Sequence, residues 1–203
     1  ELRQAAGSLG PGARRRGVRR ALSRTFAGAV TVAAALVLAG SAAVGGPPPG
    51  WVRVRDADGV VSVAVPPAWA GQVRDAGWNP AVLRLAAGHA PGLVVAPDVA
   101  TWTDPASTLP GVFVGASDAL TTGEPALPEH PAPCVRQPDR ATTVAGAPVQ
   151  VRRWTSCAGR VSYSEAVFTV PRRGYGVYVQ IRQVGTADRT DEVLAGLRLA
   201  AYP

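Results

Sequence analysis

Hydrophobic and polar positions follow two different patterns along this chain. Residues 26–44, FAGAVTVAAALVLAGSAAV, carry no charged side chain, whereas from residue 51 onward apolar positions recur at every second residue. A run of about 20 apolar residues rising 1.5 Å each can cross a hydrocarbon core of roughly 30 Å. Arg14, Arg15, Arg16, Arg19, Arg20 and Arg24 precede the run, and only neutral residues flank its far end as far as Val52. The positive-inside bias then leaves the N-terminus in the cytoplasm. The pattern predicts a basic flexible juxtamembrane arm over 1–24, a transmembrane helix or uncleaved signal anchor over 25–46, a Pro/Gly linker over 47–50 and an extracytoplasmic domain over 51–203. A basic leader, an apolar core and small residues such as Ser41, Ala42 and Ala43 also describe a cleaved secretory signal. Either way, residues 47–203 are exported. The chain begins at Glu1 and holds no Met, which leads us to expect a piece of a longer or processed chain.

Past the linker, period-two alternation predicts strands. Val52 and Val54 lead through the turn Asp56-Ala57-Asp58-Gly59 into 60–65, a hairpin with Val61, Val63 and Val65 on one face. Further strands are expected at 81–86, 92–96, 111–117, 149–157, 161–170 and 175–184. In the last, Tyr175, Val177, Val179 and Ile181 alternate with Gly176, Tyr178, Gln180 and Arg182, as in a half-buried antiparallel strand. The polar stretch between Trp69 and Trp78 reads as a turn or short irregular helix. One helical turn is expected after Asp98 as N-cap, a short helix at Asp118, and a closing amphipathic helix over 188–199 with Val193, Leu194 and Leu197 on one face. Together these define an α+β domain, a mainly antiparallel central sheet with helices packed on it, preceded by one transmembrane helix. The terminal helix argues against the alternative, an all-β sandwich.

The formal charge of +7 suggests a polyanion binder until it is divided by position. Residues 1–24 hold seven Arg against one acid, a net +6, and residues 47–203 hold fourteen Arg against thirteen acids, a net +1. The basicity belongs to the arm, where it meets anionic lipid headgroups. Membrane lipid is thus the expected partner through 25–46, and nucleic acid is not an expected partner.

Few residues offer chemistry. Cys134 and Cys157 are the only cysteines; an even pair in an exported domain reads as a disulfide. Two Cys and two separated His give no zinc pattern. His89 lies in a Gly-Pro turn and His130 in PEHPAP. Ser117, in GASDA, approaches a nucleophile elbow but has Ala119 in place of the second Gly. Asp56 and Asp58 flank a turn Gly, as in a calcium loop, without the remaining ligand positions. No phosphate-binding glycine loop is present. Trp51, Trp69, Trp78, Trp102 and Trp154 read as core, with a ligand pocket as the alternative. The exposed proline-rich segment 118–133 is a candidate partner surface. No catalytic, cofactor-binding or metal residues are expected, and the site residues reduce to the disulfide pair Cys134 and Cys157.

As a set, these features resemble a family. WVRVRDADGVVSVAVPPAW, PGVFVGAS at 110–117, the two cysteines, YVQIRQ and DEVLAGL resemble, in order, the actinobacterial extracytoplasmic domains of the PsbP/LpqN-like fold. The resemblance covers about residues 51–200. It implies an α-β-α sandwich that serves as the outer, non-catalytic part of some receptor-like serine/threonine protein kinases, or stands alone as an anchored or secreted protein. No VAIK-like lysine and no HRD or DFG sequence is present, so any kinase domain would lie upstream of this chain. The expected function is a membrane-anchored, outward-facing binding or sensing domain for an unknown ligand or protein. The alternatives are a stand-alone secreted or anchored cell-envelope binding or scaffold protein, and a hydrolase using Ser117 and one His.

Overall fold

The structure is a computed structural model that describes residues 46–203. The predicted arm over 1–24 and all but the end of the predicted span over 25–46 lie outside the described residues. Among the described residues no helix is long and apolar enough to cross a membrane.

The strands, in chain order, are β1 (Val52–Arg55), β2 (Val61–Val65), β3 (Gln72–Arg74), β4 (Gly92–Ala96), β5 (Gly111–Ser117), β6 (Val135–Arg136), β7 (Arg140–Val144), β8 (Ala147–Cys157), β9 (Val161–Thr169), β10 (Gly176–Val184) and β11 (Arg198–Leu199). Three short helices join them: α1 (Val99–Trp102), α2 (Ala119–Thr122) and α3 (Thr190–Ala195). The large sheet runs β3-β4-β5-β10-β9-β8, with β6 and β7 both pairing to β8, and every pairing is antiparallel. A small sheet, β1-β2-β11, lies over one face of it, with β2 packed on β4 and β5 and α3 packed on β2. The fold is thus a sheet-dominated α+β domain with few helices.

The inner face between the two sheets is apolar. Val112, Val114 and Ala116 of β5, and Val177, Val179 and Ile181 of β10, alternate into it and meet Val61, Val63 and Val65 of β2. Fully burying each such side chain is worth about 1.5–3 kcal/mol, which opposes the entropy of ordering the strands. The opposite face of β10 is largely covered too, contrary to the half-buried expectation: Gly176, Tyr178 and Arg182 are buried there and Gln180 partly so.

The hairpin, 92–96, 111–117 and the three late strands lie where alternation predicted them. Asp98 caps α1 by accepting a hydrogen bond from the Thr101 amide at 2.6 Å. Residues 81–86 are not a strand. Pro80–Leu83 form a 3₁₀ turn, because the Asn79 side chain accepts from the Ala81 amide at 3.0 Å and the Gly88 amide at 3.2 Å, and Arg84 ends the turn in the left-handed region. The polar stretch after Trp69 supplies the exposed edge strand β3.

The closing helix is also shorter than its periodicity, and stops at Ala195. Gly196 lies so close to β2 that a Cβ would approach the Ala64 Cβ to 3.0 Å, and its carbonyl accepts from the Ala64 amide and from Arg53 Nη1 at 2.8 Å. Residues 198–199 then pair with Val61 and Ser62 instead of continuing the helix.

Glycines on the other face of β4 and β5 seat two indoles. A Cβ on Gly115 would fall 2.5 Å from Trp78 Cε2, and one on Gly111 would fall 2.6 Å from Trp102 Nε1. Glycine within a strand marks such close approaches. Gly115→Ala should therefore lower stability by about 1–3 kcal/mol through overpacking. Gly88→Ala, with open space around it, should stay within about 0.5 kcal/mol of the parent. Urea denaturation of the two variants checks the pair, and equal midpoints would refute the seating of Trp78.

Candidate functional site

Strand register places the polar residues of the large sheet in two adjacent rows on its outer face. Gly111, Arg182, Tyr163 and Trp154 are cross-strand partners in one row; Phe113, Gln180, Glu165 and Arg152 form the next. Arg182 and Tyr163 of the first row and Gln180 of the second floor a cleft of about 520 Å³. α1 and the residues after it, through Trp102, Pro105 and Ser107, make one wall. The segment Pro128 to Cys134 and the turn at Cys157 and Ala158 make the other. The volume falls within the roughly 300–1,000 Å³ range of small-molecule sites.

A β-bulge closes this second wall. Trp154 pairs with Tyr163 but Cys157 pairs with Val161, so β8 spends three residues where β9 spends two, and Ser156 takes a left-handed φ of 57°. Without the extra residue, Cys157 would face the opposite side of the sheet from Trp154. With it, Cys157 joins Trp154, Val161 and Tyr163 on the cleft face and is bonded to Cys134. The bond and the aromatic contacts of His130 hold residues 128–134 over the sheet. The His130 ring stacks on Tyr163 at 3.9 Å between centroids and meets Trp154 edge-on at 4.7 Å.

Beneath His130 is the carboxyl group of Glu165, 1% exposed. Its Oε1 accepts from Gln180 Nε2 at 3.1 Å and from the Tyr178 hydroxyl at 3.4 Å, and it meets His130 Nε2 at 3.2 Å. Burial, together with the neighbouring Glu165 charge as the lesser cause, pushes the Tyr178 phenol far above its ordinary range. Arg152 bonds to Glu129 and sits 4.8 Å from the Trp154 ring centre, as does Arg136, so two guanidinium groups attend one indole.

Arg182 occupies the floor between Trp102 and Tyr163, its guanidinium carbon 5.3 Å from each ring centre. Nη1 donates to the carbonyls of Trp102 at 2.9 Å and Asp104 at 3.2 Å. These bonds tie the loop after α1 to β10.

No family model, curated protein or solved structure matches the chain. The site therefore rests on its own geometry.

The residues singled out from sequence are scattered. Ser117 is buried, and its hydroxyl accepts from the Ala119 amide at 3.1 Å and lies 3.4 Å from Asp118 Oδ1; neither histidine is among its partners. His89 is exposed beside Gly77, while His130 is bound to Glu165. Asp56 accepts from the Val61 amide at 2.9 Å and closes the hairpin, with burial raising its carboxyl above the ordinary value. Among the described residues no cluster of three His, Cys, Asp or Glu could hold a metal ion. Trp69, Trp78, Trp102 and Trp154 are buried, and Trp51 is partly so. Of these, Trp102 also lines the cleft. The segment 118–133, expected to be an open surface, is instead partly pinned, with Leu127 packed beside Trp78 and Tyr178.

Glu165, Arg182 and Tyr163 do not stand out as site residues from sequence. Their signal is present as charged and hydroxyl residues at alternating positions of strands long enough to be central, but one sequence does not reveal whether that face is wet. The Cys134–Cys157 bond closes a loop with a sequence separation of 23. Replacing both cysteines by Ala should cost about 3 kcal/mol by loop entropy. It should also speed amide hydrogen exchange across 128–134 more than across β10. Uniform acceleration would show that the bond supports the whole fold and not this wall.

Proposed function

We propose that the chain is a non-catalytic binding or sensing domain held on the outer side of a cell membrane by the 25–46 segment, and that the cleft is its binding site. The observation that carries this reading is the cleft itself: a small-molecule-sized cavity with aromatic, proline and disulfide walls and a buried guanidinium on its floor. Its disulfide supports an oxidising compartment. The basic arm supports an N-terminus on the cytoplasmic side.

The resemblance to PsbP/LpqN-like domains, with the α-β-α sandwich it implies, belongs to this proposal. So does the role as the outer part of a receptor-like serine/threonine protein kinase. In that role, occupancy of the cleft would shift how the domain associates with itself or a neighbour, and the span would carry the change inward; the ligand must bind the associated and dissociated states with different affinity.

Two fusions test the placement. Alkaline phosphatase fused after Pro203 should be active and green fluorescent protein at the same point should be dark; the reverse result would overturn the topology. The non-catalytic reading expects the full chain to hydrolyse p-nitrophenyl esters no faster than its Ser117→Ala variant. A Ser117-dependent turnover would instead establish a hydrolase.

A further inference from the structure

The cleft contains a buried cation without an anion to match it. Arg182 is 6% exposed, and among the described residues no carboxylate lies within ion-pair distance of it. A guanidinium has five N–H donors, and the two bonds to the Trp102 and Asp104 carbonyls both leave from Nη1. Nε is buried with no partner. Nη2 makes no hydrogen bond among the described residues. A desolvated, unpaired charge is costly, and the two aromatic faces offset only part of that cost.

The other charged and titratable groups around the cleft narrow what could complete the pair. Glu129 stands at the rim with its carboxylate on Arg152, and His130 is engaged by Glu165. Tyr163 and Gln180 also line the cavity, the first with its ring against Arg182 and the second with its amide donated to Glu165. Among the described residues no second arginine lines the cavity. The remaining lining is largely apolar, through Trp102, Pro105, Pro128, Pro131 and Val161.

We infer that the cleft takes a small monocarboxylic acid with an apolar body, its carboxylate meeting Arg182 and its body lying against Trp102 and the prolines. The inference rests on the reading of the cleft as the binding site. One unpaired cation matches one negative charge. A phosphate dianion would bring a second charge with no donor group of its own, into a site that already has Glu129 at the mouth and Glu165 beneath.

The test uses the full chain in lipid nanodiscs at neutral pH, with empty nanodiscs as the blank. Benzoate, phenylacetate and 4-phenylbutyrate are titrated by calorimetry, each beside its neutral amide and all beside phenyl phosphate. At least one acid should bind about tenfold or more tighter than its amide. Arg182→Gln should erase that preference, and Ala158→Trp, which fills the mouth, should weaken acid and amide together.

Acid and amide binding equally well to the parent chain would overturn the role of Arg182 while leaving the cleft as a site. Phenyl phosphate binding more tightly than every acid would overturn the monoanion. A preference for acids that survives Ala158→Trp would place the site elsewhere. If neither acids nor amides bind, this inference and the cleft reading fall together. Should Arg182→Gln fail to fold, the acid and amide comparison in the parent chain decides alone.

Discussion

A wide antiparallel sheet covered on both faces leaves its alternating polar residues nowhere to go. One face of this sheet is closed by β1, β2, β11 and α3 over valines. The other is closed by indoles, α1 and the 128–134 segment over a face that carries Glu165, Gln180 and Arg182. A buried polar group is costly without hydrogen-bond partners. That cost shapes the cleft in part: Oε1 of Glu165 is met by His130, Tyr178 and Gln180, and holding His130 there fixes the wall, while Oε2 is buried without a partner. One carboxyl oxygen thus ties the wall to the sheet.

The parts of the fold legible in the sequence are those in which local pattern and tertiary role agree. The stretches 92–96 and 111–117 are legible to the residue because each is a short apolar run bounded by proline or serine. The Asp98 cap is legible because a capping carboxylate acts on an amide three residues away. The pattern misleads where a distant contact outweighs a local preference. Residues 198–199 continue a helical pattern, yet β2 offers them a strand partner and Gly196 a place to turn. Residues 81–86 alternate like a strand, yet Asn79 and Pro80 set the backbone first. The edge strands β3, β6 and β7 are short, polar or exposed, as edges that avoid further pairing tend to be, and so give little signal.

For the site, the two cysteines are legible as a pair, but not their role as a wall tie. That role depends on one extra residue in β8 that turns Cys157 to the face of Trp154. A bulge is a relation between two strands, and neither strand's sequence contains it. The glycines of GVFVG look, in the sequence, like strand boundary and spacing. Their function is to admit Trp78 and Trp102 to the surface of β5, and the indole at Gly111 then becomes one side of the cleft.

The bond between Cys134 and Cys157 also gives the cleft a history. The strand pairings and the valine layer draw on burial and hydrogen bonding. The cleft wall depends in addition on an oxidation step. Without the bond, 128–134 would be left to the contacts of His130 with Tyr163 and Trp154. Completion of this wall is thereby tied to the chemistry of the surroundings, which decides when the two cysteines join.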